Sequence, residues 1–448
     1  MRITSTAAPF MQMNRILPVA LAGIAAAAAA CHPGPGGLGV AGGPADSTLI
    51  RQDIAFLASD ALEGRRTGTP GNDSAAAYLS RRYAALKLAP VPGAAGCGAG
   101  CAESYRLPFT AHEPVRNAPP RALPTQNVAG IIRGADRTLR NEYVVIGAHF
   151  DHLGRSTEGA LDPDAHDAIR NGADDNASGS AAVLALARRL AAAPPKRSIL
   201  VVHFSGEEEG LLGSAYFVEH APVPLGQVDA MINFDMVGRL RDDKLIIYGL
   251  ATAKEMDSVV AWANEPVGLK VSLVGDGFGP SDQSSFYAKN IPVLHFFTDV
   301  HADYHRATDD ADKINVAGEV KVVDLAERAV RAIADRPARL TFTKAATTQR
   351  TVSPTTGGAY FGSIPDMGAS DGDGMRISGV SPGGPAEKAG LKGGDLIIEF
   401  GGRPVKNIYD YTDAIGAFKP GDEVTVVLLR GPNRERITLK VTLSTRGG

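Results

Sequence analysis

Imidazoles and carboxylates recur in five short stretches of this 448-residue chain, and they are the side-chain types of a divalent-metal site. GAHFDHLG offers His149, Asp151 and His152, and NGADDNASGS offers Asp174 and Asp175. SGEEEGLLGS sets Glu207, Glu208 and Glu209 in a row, NFDMVG supplies Asp235, and HADYHRATDD carries His301, Asp303 and His305. Three adjacent carboxylates repel one another and are costly to take out of water unless a positive charge sits beside them. Alone, the triplet fits a solvated helix start, where the dipole favours acidic side chains, better than it fits a cation site. A single His or Asp is usually structural as well. Five segments that all offer such groups, with no cysteine among them, instead suit zinc or a similar divalent ion in a hydrolytic site.

Strands and helices must bring these groups together. Short runs rich in β-branched and aromatic residues predict strands at 142–150, 198–205, 230–238, 244–250 and 291–298. Several are nearly continuous apolar runs, as strands covered on both faces are. Helical stretches are predicted at 47–60, 72–87, 179–193, 256–265 and 317–336, with Val183, Leu184, Leu186 and Leu190 forming an apolar face on the third. The alternation implies an α/β domain with a mixed, largely parallel sheet and helices on both faces. In such sheets functional side chains gather beyond the carboxyl ends of the strands, which is where the five stretches fall.

Taken in order, GAHFDHLG, NGADDNASGS, FSGEEEGLLGS, NFDMVG and DYHRATDDADKIN closely resemble the M28 family of dinuclear zinc aminopeptidases. The upstream stretch LASDALEGRRTGTPGNDSAAAYLSRRYAALKLAP extends the resemblance over about 48–335. The resemblance implies the zinc exopeptidase fold and two Zn2+ ions, one held by His149, Asp175 and Asp235, the other by Asp175, Glu208 and His305. It further implies Asp151 as the residue orienting the His149 ring and Glu207 as general base. A cis peptide is expected between Asp175 and Asn176, and Glu209 is left as a solvated helix-start residue. Many relatives carry a histidine where this chain has Gln283, in a segment that lines the substrate side. Gln283 and His301 are therefore the candidate substrate contacts, with a structural role for His301 equally open, and His152 is not a metal ligand by this match. The implied activity is removal of N-terminal residues from peptides. A glutaminyl-cyclase-like single-zinc enzyme on the same fold and a non-catalytic peptide-binding scaffold are the alternatives.

The remaining segments frame this domain. Arg2 and Arg15 precede the apolar run 16–30, which is too short and alanine-rich for a membrane span and reads as a signal peptide over 1–31. Cys31 follows Ala28-Ala29-Ala30, which resembles a lipobox, so ordinary signal cleavage and lipidation of Cys31 both stand. Either implies export, to the periplasm or cell envelope, with lipidation as the sole route to a membrane. Residues 32–47 read as a flexible tether, 48–339 as the peptidase domain and 340–358 as a Thr/Ser-rich linker. Cys97 and Cys101 in GCGAGC have no second cysteine pair for a zinc site, so an oxidising compartment favours a local disulfide. Residues 359–446 resemble the PDZ domains of bacterial periplasmic proteases, through SPGGPAEKAGL followed by GGDLIIEFGGRPV. By that resemblance the backbone N–H groups of Phe361, Gly362 and Ser363 would receive a peptide or protein C-terminal carboxylate. A net charge of −3 with 21% charged residues leaves no basic excess for nucleic acid.

Overall fold

The structure, a computed structural model, describes residues 44–345 and 359–444 apart from 95, 99, 114–118, 158, 163, 280, 366–373, 382, 407–409, 412–413, 416 and 432. The signal peptide with Cys31, most of the tether and most of the linker lie outside the described residues. The chain opens with helices α1 (Pro44–Leu57) and α2 (Pro70–Ala85). Thr69 caps α2 by accepting the Asn72 N–H, and Pro70 fills the first turn, where its missing N–H costs nothing. Strands β1 (Ala89–Pro90), β2 (Arg106–Glu113) and β3 (Arg121–Ile132) follow, then β4 (Tyr143–His149). Helix α3 (Gly179–Ala192), β5 (Ser198–Phe204), α4 (Leu212–Glu219) and β6 (Val228–Phe234) complete the middle. The domain closes with β7 (Lys244–Tyr248), α5 (Met256–Asn264), β8 (Lys270–Leu273), α6 (Gln283–Tyr287), β9 (Val293–Phe297) and α7 (Val316–Ala334).

These strands form one sheet in the order β1-β3-β5-β4-β6-β9-β7-β8, with β2 beside β3. The central neighbours β5, β4, β6 and β9 run parallel, and antiparallel pairings flank them. The α/β expectation, with a mixed sheet covered on both faces, therefore holds. Side-chain alternation sorts the central strands into two cores. Val144, Ile146, Ala148, Ile199, Val201, Ala230, Ile232 and Phe234 pack with α1, α3, α5 and α7. Val145, Leu200, Val202, Phe204 and Met231 pack on the opposite face with α4 and α6. Because both faces are buried, the strands read as unbroken apolar runs. Parallel direction then places the ends of β4, β5, β6 and β9 at one sheet edge.

A second, six-stranded antiparallel sheet follows, built from β10 (Ser363–Pro365), β11 (Met375–Val380), β12 (Leu396–Phe400), β13 (Arg403–Pro404), β14 (Glu423–Arg430) and β15 (Glu435–Thr442). Helix α8 (Pro385–Lys388) lies between β11 and β12. Its core includes Phe361, Ile377, Ile397, Phe400, Tyr411, Val426 and Leu428. The carbonyls of Phe361 and Gly362 accept the N–H groups of Ala386 and Ser381, which fixes the loop before β10, and the Ser363 and Tyr411 hydroxyls hydrogen-bond. Among the described residues no helix is long and apolar enough to cross a membrane. Cys97 and Cys101 are joined as a disulfide, their Cα atoms 5.7 Å apart.

Candidate metal centre

His149 is the last residue of β4, and three residues beyond β5 come Glu207 and then Glu208. Gly206, at φ +82°, makes the turn that carries both glutamates over the sheet edge, a conformation open to glycine at little cost. Asp235 directly follows β6, and His305 lies in the loop after β9. Asp174 and Asp175 sit in a tight turn, Ala173–Ser178, that leads into α3. Three ties anchor that turn. The N–H groups of Asp174 and Asp175 donate to Asp309 Oδ2 at 2.9 and 3.1 Å. Asn176 Nδ2 donates to the Phe234 carbonyl at 3.0 Å, binding the turn to the end of β6. The Asp175–Asn176 peptide is cis, as the resemblance implied.

Asp175 stands between the two histidines. Its Oδ1 is 3.4 Å from His149 Nε2 and its Oδ2 is 3.1 Å from His305 Nε2. His149 Nε2 also approaches Asp235 Oδ1 at 3.5 Å and Glu207 Oε2 at 3.9 Å, while His305 Nε2 lies 3.3 Å from Glu208 Oε2. The outer nitrogens are held by carbonyls: His305 Nδ1 donates to Gly159 O at 2.8 Å and His149 Nδ1 to Asp151 O at 3.3 Å. Both rings thus aim Nε2 at the carboxylates, the tautomer a metal ligand needs.

Electrostatically the cluster calls for a cation. Burial works against ionising Glu208, and Asp175 adds to that, yet His152 and His305 overcome both and bring it down to about 2. Burial likewise opposes a charge on His305, but Glu208 and Asp175 push it up to about 12. Asp175 is held well below the usual carboxylate range, against its burial, by His149 and His305. Glu207 goes the other way: burial, helped by Glu208, Asp235 and Asp282 and opposed by His149, raises it well above the ordinary range. Protons on the imidazoles fill the role a dication would fill. His149 Nε2 is buried with no hydrogen-bond partner, and the donor set is imidazole and carboxylate without thiolate. That combination fits zinc.

All six residues assigned to the metals and to the general base converge here, and four readings need adjustment. Asp151 reaches His149 through its carbonyl, its carboxylate being 3.7 Å away. That carboxylate instead accepts the N–H groups of Glu207 and Glu208 at 3.3 and 3.2 Å, so it braces the β5 end. Glu209 is not solvated: its side chain is 4% exposed, 3.5 Å from Arg66, and burial raises it to about 8. Gln283 has no solvent exposure and its Oε1 accepts from Asn233, so it cannot meet substrate without rearrangement. His301 has both nitrogens engaged, with Asp174 Oδ2 at 3.1 Å and the Asp303 N–H at 3.2 Å, and acts as a strut. His152, which the resemblance set aside, comes within 2.6 Å of Glu208 Oε1. Its position in HFDH was visible, but nothing in the spacing told its ring from that of His149. Asp309, which also pairs with Arg239, and Arg65, which donates to the Phe150 and Gly172 carbonyls, hold backbone groups beside the site, and no spacing in the sequence marks them.

Residues 127–330 match Peptidase family M28 and residues 352–441 match the PDZ domain. Aminopeptidase YwaD of Bacillus subtilis is 27% identical over 218 residues, 46% of this chain and 44% of the relative. Leupeptin-inactivating enzyme 1 of Streptomyces exfoliatus is 31% identical over 178 residues, 39% of this chain and 36% of the relative. The chain thus spans less than half the length of these curated relatives. Among solved structures, a zinc aminopeptidase from Bacillus subtilis superposes with TM-score 0.50 at 18% identity, over 66% of this chain and 98% of that one. A Zn-dependent exopeptidase from Parabacteroides distasonis gives 0.51 at 17% identity, over 65% and 98%. Both share the fold of the first domain. The chain carries a Peptidase family M28 domain followed by a PDZ domain.

Proposed function

We propose that this protein is an exported, zinc-dependent aminopeptidase that removes N-terminal residues from peptides. The observation that carries the reading is the placement of Asp175, one oxygen toward His149 and the other toward His305, with Asp235 and Glu208 completing the two sides. His149, Asp175 and Asp235 would hold one Zn2+ ion, and Asp175, Glu208 and His305 the other. When bound, the ions would supply Lewis acidity to a water and to the scissile carbonyl. Glu207 is then the proton carrier. Its carboxylate, buried beside His149 and raised above its usual range, would accept a proton from the attacking water and return it to the leaving amine. Asp151, which accepts the backbone N–H groups of Glu207 and Glu208, keeps that carboxylate in place.

Export is supported by the Arg2 and Arg15 charges ahead of the apolar run that ends at Cys31, and the periplasm or cell envelope is the compartment we assign. The PDZ domain supports a second, separate peptide contact. Strand β10 ends its sheet among the described residues, next to the Phe361–Ser363 loop, and a peptide C-terminus could add as a further strand.

A panel of aminoacyl anilides tests the activity. Hydrolysis should vanish with chelator and return with Zn2+. Glu207→Gln should lower kcat by roughly 10²–10⁴-fold, the range for a positioned acid–base group, while retaining two ions per chain. Full activity in that variant would overturn the general-base assignment, and a single ion per chain would favour the cyclase-like alternative.

A further inference from the structure

The ligands come from separate strand ends, so some element must fix their spacing before any ion arrives. The connection between α1 and α2 is placed to do so. Arg65 has no solvent exposure, and all three guanidinium nitrogens donate to main-chain carbonyls. Nε reaches Phe150 O at 2.6 Å, next to His149. Nη2 reaches Gly172 O at 2.6 Å and Asp175 O at 3.5 Å, while Nη1 reaches Leu57 O at 3.1 Å and also Asn171 O. A guanidinium presents its N–H groups in one rigid plane, so these bonds set the distance between the end of β4 and the Asp175 turn. Thr67, two residues on, donates its hydroxyl to Asp151 Oδ2 at 3.2 Å. That is the carboxylate that holds the Glu207 and Glu208 N–H groups.

The backbone of this connection is itself constrained. Glu63, Gly64 and Arg65 are all left-handed, at φ 47°, 69° and 42°. A non-glycine residue is strained in that region, and such conformations persist where the surroundings dictate them. A Cβ on Gly64 would sit 2.3 Å from Arg170 O and 2.6 Å from Gly154 Cα, so the segment is wedged between the loop after β4 and the approach to the Asp175 turn.

We propose that Gly64–Thr67 is a positioning clamp for the metal centre: Arg65 sets the spacing of the His149 and Asp175 backbones, and Thr67 sets the Asp151 brace. The proposal rests on the metal-centre reading above. Its experiment is a zinc affinity measurement, by competition with a chromophoric chelator, on folded full-length Arg65→Lys and Thr67→Val proteins. Lysine keeps the charge but loses the planar fork, and valine keeps the shape but loses the hydroxyl. We expect Arg65→Lys to bind Zn2+ about 10–100-fold more weakly than wild type, the range for removing a partner that supports a metal ligand, and Thr67→Val to be weakened in the same direction. The cobalt(II) absorption band of the Arg65→Lys protein should also differ from that of wild type, because ligand spacing changes. A purely structural brace would lower thermal stability and leave zinc affinity and cobalt spectrum of the folded protein unchanged, and that result would overturn the proposal. If Arg65→Lys does not fold, Thr67→Val decides: unchanged affinity refutes the clamp. Wild-type and His305→Ala controls separate the two ideas, because failure of wild type to bind Zn2+, or no loss of binding in His305→Ala, sinks the metal centre itself.

Discussion

At the residue scale, identical side chains take different ionisation states from their neighbours. Glu207, Glu208 and Glu209 are consecutive, yet Glu208 is drawn to about 2 while burial lifts Glu209 to about 8. Imidazoles divide in the same way. His305 faces carboxylates and rises to about 12, whereas His203, on β5 away from the cluster, is pushed down to about 4 by burial. His203 Nδ1 accepts the Tyr83 hydroxyl at 2.7 Å and its Nε2 donates to Ser180 O at 3.1 Å, so its neutral form is the one the fold uses. The sign of the pH effect follows. The unfolded histidine takes up its proton near pH 6.5 and the folded one only near 4, so the unfolded state binds more protons between those values and stability falls as pH drops. From pH 7 to pH 4.5 this group alone should remove about 2–3 kcal/mol. His203→Gln retains an acceptor and a donor without titrating. Urea unfolding of chelator-treated protein at both pH values should therefore show a smaller acid loss in the variant, and equal losses would refute the assignment.

At the element scale, the central strands were legible and the flanking ones were not. Strands β4, β5, β6, β7 and β9 announce themselves because each is nearly all apolar. Strand β2, with the sequence RLPFTAHE, exposes alternate residues and mixes Pro, His and Glu, so nothing in its composition marked a strand, and β3 was likewise passed over. The site residues could be read because His, Asp and Glu carry the chemistry themselves. The Arg65 contacts could not, since carbonyl partners leave no trace in side-chain identity. Helix α4, whose first turn overlaps the end of SGEEEGLLGS but carries none of its carboxylates, shows how a residue with no chemistry of its own controls the site. Its Gly213 lies against the end of β5, where a Cβ would come within 2.1 Å of Ser205 O and 2.6 Å of Asn127 Oδ1. Alanine there must push α4 off the strand that leads to Glu207 and Glu208. Gly213→Ala should lose roughly 1–3 kcal/mol of stability, the usual cost of overpacking, together with anilide hydrolysis. Gly226→Ala, with nothing within 4 Å of its Cβ, should stay within about 0.5 kcal/mol of wild type. Similar unfolding midpoints for the two variants would contradict this packing.

At the scale of the whole molecule, the two sheets do not share a core. The two clusters that flank the large sheet draw their buried residues from Ile50 to Ala345, and the third draws its own from Phe361 to Leu443. No strand of one sheet pairs with a strand of the other among the described residues. Separate cores joined by a Thr/Ser-rich stretch are the anatomy of domains that fold independently. Every ligand candidate, the Glu207 carboxylate and the Arg65 contacts lie before residue 336, so the chemistry should not need the C-terminal module. A chain ending at residue 345 is therefore expected to unfold cooperatively and to hydrolyse aminoacyl anilides with a kcat/KM within about twofold of the full chain. Zinc at 100 times its dissociation constant should stabilise both versions alike, by about 2.7 kcal/mol for each ion bound, since a site of that occupancy contributes that much wherever the rest of the chain ends. Longer peptides are where the two versions should part, because strand addition beside β10 would raise the local concentration of a tethered substrate and lower KM in the full chain alone. If truncation instead abolishes anilide hydrolysis while the shortened protein still binds zinc, the PDZ domain must contribute to the active site, and the division of labour argued from separate cores fails.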